Sequence, residues 1–385
     1  MKKKCFSALA ALAITAMTLS CQRVSMEPAV PVNNTEGTRQ PLSITPNSLQ
    51  IANKQGFYGF YTSEDQWGKC EVVSPNTTRI SQVNYVRKLT TEEKNSIGDS
   101  VSFRIELYAA YDEWDRNANS WYFKVPKGTV ITKDTDFKTI GRFPLIIYTT
   151  PYFAYNTQFN HITYQRDIGT YAQDLRDPDS DVYIQYEVGA NPNALFNSAV
   201  PFCDQPGFRA DIFIDTHDEG IVPNVEKNVY VPLISQNLKE GEEKVSRSFE
   251  LKEDIEDAYI WYTSSGHGAN EEGRTRQHVI SIDGTEVTSF DSKVSCEPYE
   301  YYDRINPRGG RGPLSTWRYP TRNWCQGGEI VPRVIKIGNL TKGTHTLLLN
   351  VETLTGEFDS GLNIITPIHG YLSTNMVIIG RKKNL

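Results

Sequence analysis

Between Val101 and Tyr111 the chain alternates: Val101, Phe103, Ile105, Leu107, Ala109 and Tyr111 are apolar, while Ser102, Arg104 and Glu106 between them are polar. A period of two puts one set on each side of an extended backbone, so this stretch is expected to be a half-buried strand. Shorter versions predict strands at Trp121–Val125, Leu145–Thr149, Val182–Val188, Asp211–Asp215, Ala258–Tyr262, His278–Ile282, Val334–Ile337, His345–Val351 and Met376–Ile379. Asp283-Gly284 after one of them is a tight hairpin signal. One short helix is expected, around Asp167–Leu175. Many short strands separated by turn residues predict an all-β protein of antiparallel sandwiches or jelly rolls. The roughly 340 residues after residue 45 exceed one ordinary β domain of about 100 to 250 residues. Gly220, Pro223 and Asn224 break the strand pattern near Val222–Asn228, so two domains are expected, 46–222 and 223–385.

The first residues follow another logic. Met1-Lys2-Lys3-Lys4 precedes an apolar run from Phe6 to Leu19 that is too short to span a bilayer and stops at Ser20-Cys21. This predicts a signal peptide over 1–20. Its end resembles the bacterial lipoprotein signal, which implies a lipidated Cys21 and an outer-membrane or cell-surface location, with periplasmic release or secretion as the alternative. Residues 22–45 are rich in Pro, Asn, Thr and Glu without apolar periodicity and read as a flexible tether. Removing 1–20 takes three lysines and no acid, which changes the net charge from −6 to −9. An acidic chain without basic clusters is poorly suited to phosphate backbones, so no nucleic-acid partner is expected, and membrane contact only through the lipid. Without Cys5 and Cys21 there remain Cys70, Cys203, Cys296 and Cys325, an even number that permits three disulfide pairings. No Cys or His spacing fits a zinc site, so neither metal nor other cofactor is expected.

The chemistry-bearing stretch is Asp112-Glu113-Trp114-Asp115-Arg116, directly after the best strand. Carboxylates shuttle protons, arginine holds a developing oxyanion, and an indole offers a flat face of the kind a sugar packs on. Alone, the run also reads as a polar loop whose charges pair among themselves. Further pieces follow in order: Ile140-Gly141-Arg142-Phe143, Pro151-Tyr152-Phe153, Glu187 after a short apolar strand, Ser265-Gly266-His267-Gly268, Glu272-Gly273-Arg274-Thr275-Arg276-Gln277-His278, Cys296, Asn306-Pro307 and Arg322-Asn323-Trp324-Cys325. Together they resemble the peptide-N-glycosidase F family, amidases that remove whole N-linked glycans from asparagine, over most of the chain after about Cys70. The resemblance implies two eight-stranded antiparallel jelly rolls packed side by side, with the site in the cleft between them. It also implies a Cys296–Cys325 disulfide, which leaves Cys70 and Cys203 either paired or as two free thiols.

Amide hydrolysis needs a deprotonated water, a stabilised oxyanion and a proton for the departing nitrogen. By resemblance Asp115 is the principal catalytic acid, Glu272 the second, and Glu187 the third, binding the first sugar or ordering a water. The ordinary alternative for Asp115 is an ion pair with Arg116. Arg116 and Arg322 match arginines around the family's site, and Trp114 and Trp324 pack beside the sugar core or serve as plain core. His267 and Arg276 are further expected substrate contacts. Alternation would put Glu272, Arg274, Arg276 and His278 on one strand face if the strand starts that early. Departures from the family are also present. Tyr111, Asn270 and Arg274 stand where loop-stapling cysteines occur, Gly189 and His267 stand where tryptophans occur, and the segments Tyr155–Asp174 and Cys296–Trp317 are longer. The expected partner is an N-linked glycoprotein or glycopeptide, acted on by a monomer. The alternative function is a surface glycan-binding lipoprotein without turnover, which would not need this acid set. Copper oxygenation would need clustered His and Met, which six scattered histidines and four methionines do not provide.

Overall fold

The computed structural model describes residues 47–383, apart from 60–61, 73, 154–159, 192–196, 218–227, 269–270, 272–273, 300–301, 303–320, 355–357, 360–364 and 367–369. The expected signal peptide, Cys21 and the tether lie outside the described residues, as do Glu272 and the expected domain boundary at 222/223.

The chain is all-β and antiparallel. Its strands are β1 Asn47–Phe57, β2 Thr77–Ser81, β3 Asn84–Lys88, β4 Val101–Ala109, β5 Asn117–Pro126, β6 Arg142–Thr149, β7 His161–Asp167, β8 Ser180–Val188 and β9 Phe208–Thr216. There follow β10 Asn228–Leu238, β11 Lys244–Leu251, β12 Ile255–His267, β13 Gln277–Ile282, β14 Thr285–Asp291, β15 Val294–Ser295 and β16 Thr321–Arg322. The last are β17 Arg333–Leu340, β18 Gly343–Val351, β19 Phe358–Asp359, β20 Ile365–Thr366 and β21 Tyr371–Lys382. Residues 47–216 form two sheets, ordered β1-β9-β4-β7 and β2-β3-β8-β5-β6. Residues 228–382 form two more, β10-β21-β12-β17 and β11-β18-β13-β14, with the small pairs β15-β16 and β19-β20. The described residues belong to one compact unit.

Each strand predicted from alternation falls on an observed strand, although β4 ends at Ala109, two residues short of Tyr111, and β17 keeps Val334 exposed. The Asp283-Gly284 hairpin joins β13 to β14 with Ile282 opposite Thr285. Both turn residues have positive φ, 50° and 78°, which the tight two-residue turn demands and which Gly284 adopts without penalty. Strand β7, edge partner of β4, was hidden because Arg166 occupies an inward position beside Ile162 and Tyr164. Strand β10 was hidden by Pro232, which sits where the pairing with β21 shifts by a residue, on an edge strand where a missing N–H is tolerated. The expected helix is reduced: Asp167 closes β7, then Gly169–Tyr171 form a 3₁₀ turn and Ala172–Leu175 one α turn.

The run Met376–Ile379 shows how the halves join. Val377 and Ile379 belong to the core that also contains Phe57, Phe103 and Tyr122, while Met376 and Ile378 belong to the core of Ile260, Leu347 and Leu349. A strand buried on both faces has no polar parity, hence the unbroken apolar sequence. Around this strand Trp121 Nε1 donates to Asn375 Oδ1 at 2.9 Å, and Arg142 Nη2 donates to the Ser235 carbonyl at 2.8 Å. The segment after Cys325 is main-chain bonded to β6. Thr149 N donates to Gly328 O at 2.9 Å and Ile330 N to Ile147 O at 2.8 Å.

Candidate active site

Asp112 is almost fully buried and organises the loop between β4 and β5. Its carboxylate accepts from Trp114 N at 3.0 Å, from Asn191 N at 2.5 Å, and from Arg116 Nε and Nη2 at 2.7 and 3.1 Å. Four donors on one buried carboxylate satisfy its lone pairs and close the fork of Arg116 on it. Asp115 is therefore not consumed by its neighbour. It is half-buried and accepts from Gln326 Nε2 at 3.2 Å and from the Tyr152 side chain. Burial raises its pKa above the ordinary aspartate value, against the opposing charges of Arg322 and Arg116 and these two hydrogen bonds. Trp114 and Tyr152, both half-buried, stand with ring centroids 5.7 Å apart beside it.

Glu187 lies on β8 between two neighbouring strands at one level. The register sets Asn84 of β3 and Asn119 of β5 on either side of it. Asn84 Nδ2 donates to Oε2 at 3.0 Å and Asn119 Nδ2 to Oε1 at 2.8 Å. Burial again raises the carboxyl pKa, partly countered first by the Arg142 charge and then by the two amides. Asn119 shares its face with Trp121, which reaches Asn375, so Glu187 faces the second half of the molecule and not open solvent.

From that second half, Arg322 stands on β16 opposite Val294 and is buried, its guanidinium 4.5 Å from the Trp324 ring centre. Its Nε has no hydrogen-bond partner among the described residues. Of the two readings open for Trp324, the structure takes the core one. It is 2 % exposed, clustered with Trp121, Ile147 and Ile330 and stacked with His267 at 5.4 Å. His267 is buried, bonded to Ser265 Oγ at 2.8 Å, and its pKa is pushed down to about 3 by burial and the Arg322 charge, so the ring is neutral. Arg276 is buried in a two-pronged pair with Glu271, Nη2 to Oε1 at 2.6 Å and Nε to Oε2 at 3.1 Å. His267, Arg276 and Trp324 are thus all buried, each with a side-chain partner in the structure. Gly266 permits that packing, since a Cβ there would lie 2.5 Å from Asn323 Nδ2 and 2.7 Å from Glu271 O. Strand β13 begins at Gln277, so Arg274 and Arg276 precede it and the condition for a strand stripe with His278 is not met by these two, while Glu272 lies outside the described residues.

Both disulfides are formed. Cys296–Cys325 closes the loop whose end carries Gln326, and Cys70–Cys203 joins positions 133 apart. Sequence reasoning missed Gln326, Asn84 and Asn119 and gave Tyr152 and Arg142 no role. Only strand register brings the two asparagines to Glu187, and only the seam between halves brings Gln326 to Asp115. The arrangement supplies a proton-avid acid, a second held carboxyl, a guanidinium with a free donor and a pair of aromatic rings.

Residues 236–372 match the family model described as Peptide-N-glycosidase F, C terminal. Among solved structures, PNGF-II superposes with a TM-score of 0.63 at 15 % identity, over 88 % of this chain and 66 % of that one. The present chain thus spans just under two thirds of that relative. Peptide-N-glycosidase F of Flavobacterium meningosepticum, a glycosylasparaginase, superposes with a TM-score of 0.53 at 14 % identity, over 88 % of this chain and 97 % of that one. A search of curated protein sequences finds no match.

Proposed function

We propose that the chain hydrolyses the amide between asparagine and the first N-acetylglucosamine of N-linked glycans, releasing the glycan and leaving aspartate, a reading supported by the match of residues 236–372 to the family model described as Peptide-N-glycosidase F, C terminal. The observation that carries this reading is Asp115: a half-buried acid of raised proton affinity, left unspent because Arg116 is closed on Asp112, and faced by Arg322. Such an acid can take a proton from water and return it to the leaving nitrogen. Arg322, whose Nε has no partner among the described residues, supports the oxyanion better than Arg116, which is closed on Asp112. Glu187, gripped by two amides, orders a water or binds the first sugar, and the Trp114–Tyr152 pair offers the sugar an apolar face. Glu272 completes the acid set by resemblance.

In this reading the four large sheets pair into two jelly rolls with the site at their seam, and the enzyme is a monomer that needs no cofactor. It acts on glycoprotein or glycopeptide while tethered to a membrane by lipid on Cys21. Mass spectrometry of a glycopeptide after incubation tests the reaction. Aspartate in place of asparagine, a gain of about one mass unit, is expected; a sugar left on asparagine would indicate glycosidic cleavage instead, and binding without turnover would favour a glycan-binding protein.

A further inference from the structure

Gln326 has the placement of a residue built for one contact. Its side chain is 2 % exposed and reaches across the seam to Asp115 Oδ2 at 3.2 Å. Its backbone is held on both sides. Cys325 before it is bridged to Cys296, and Gly328 after it accepts from Thr149 N of β6 at 2.9 Å while donating to Cys325 O at 2.9 Å. Arg166 fastens the same segment through Glu329 and through the Ile330 carbonyl at 3.1 Å. Gln326 Oε1 is buried without a partner among the described residues, so the contact with Asp115 is what the structure provides for this polar group.

We infer that Gln326 is a positioning residue of this site: from the second half of the molecule it fixes one oxygen of Asp115 and gives it a neutral hydrogen-bond donor. The inference rests on the amidase reading only for its catalytic consequence. A carboxamide carries donor and acceptor on one planar frame. One orientation meets the ionised acid with Nε2, and a flip meets the protonated acid with Oε1, so the residue serves both states of a proton cycle. Arg116 and Arg322 also face Asp115, but as cationic donors they favour only the carboxylate, while Tyr152 gives it a second neutral hydroxyl contact from the first half. Gln326 thereby ties the geometry of the acid on the first half to the docking of the second.

The test is a titration of Asp115 followed by carboxyl NMR on the full chain, assigned with Asp115→Asn. In wild type the Gln326 side-chain amide resonances should shift with the Asp115 carboxyl, and should stop doing so in Asp115→Asn. In Gln326→Met, of similar shape but without the donor, the Asp115 titration should move up by about one pH unit, since a carboxamide bonds the charged carboxylate more strongly than the neutral acid and its loss favours the protonated form. The same variant should lose about 10- to 100-fold in kcat with KM little changed, as expected when a reacting group is misplaced by a fraction of an ångström. Gln326→Glu, which keeps the shape, should raise the Asp115 titration through charge repulsion. A Gln326 amide blind to Asp115 in the wild type, or an Asp115 titration unmoved in the variants, overturns the inference. A wild type without amidase activity whose Asp115 titration still answers to Gln326 would sink the functional reading alone.

Discussion

Arg116 is closed on Asp112, four residues before it, through contacts of 2.7 and 3.1 Å, and this pairing is what leaves the adjacent Asp115 available. In the run DEWDR the two aspartates look equivalent, yet one is a structural anion with four donors and the other a carboxyl of raised proton affinity.

Asp115→Asn should abolish turnover without unfolding the protein. Loss of a general acid or base costs about 100- to 10,000-fold in rate. An amide of the same shape removes a charge that burial disfavours, so the melting temperature should be unchanged or higher. Glycan release and a melting curve on one sample check both halves of the statement.

Asp112→Ala should do the opposite. Removing one partner of a buried pair costs about 3 kcal/mol or more, and the backbone donors of Trp114 and Asn191 lose their acceptor as well. Chemical denaturation should show a clear loss of stability, accompanied by reduced activity because Arg116 becomes free to close on Asp115.

Glu187→Gln should be tolerated structurally. Asn119 Oδ1 is buried without a partner among the described residues, so a flip of Asn119 can accept from the new amide while Asn84 still donates to the remaining oxygen. A stability change within about 1 kcal/mol is expected, with a fall in activity smaller than that of Asp115→Asn. Parallel melts and rate measurements decide.

The pH response of stability should carry two opposite signs. His267 and His278 have pKa values pushed down to about 3 and about 4, so the unfolded chain takes protons from pH 6.5 downward that the fold refuses, and stability is lost as pH falls through that window. Asp115 and Glu187 have raised values, so their contribution is present at low pH and is lost as pH rises from about 4 through their folded values. His278→Phe, which keeps the stacking on Phe290, should flatten the decline between pH 6.5 and 4.5 in denaturation measured across that range.

Reduction should release the Gln326 segment. By the chain-entropy relation a loop with a separation of 29 contributes about 3 to 4 kcal/mol, and one with a separation of 133 about 5 kcal/mol. Replacing Cys296 and Cys325 by serine should lower stability by roughly the first amount and impair activity beyond that loss, since the tether of Gln326 to Asp115 is weakened.

On the proposed reading that Cys21 carries the lipid, Cys21→Ala should move the protein from the membrane to the soluble fraction without loss of the proposed activity. Stable retention needs more than a single acyl chain. Fractionation of cells expressing both forms checks this, and wild type found wholly in the culture medium would refute the anchor.

The alternation from Val101 to Tyr111 was enough to assign β4, because a sheet with one apolar face writes its period into the chain. The Asp283-Gly284 turn was legible for a related reason: positive φ restricts the residues that can occupy it. Asp115 and Glu187 were also identifiable as candidates from motif and strand parity. Their environments were not. That Arg116 takes Asp112, that Asn84 and Asn119 flank Glu187, that Trp324 is core, and that Gln326 crosses to Asp115 all depend on contacts between positions up to 211 residues apart. Local periodicity fixes which face of a strand is buried, since that is a property of consecutive residues. Which partner a charge finds is decided by tertiary structure at three levels: within one loop for Arg116 and Asp112, by strand register for Glu187, and by the meeting of the two halves for Asp115.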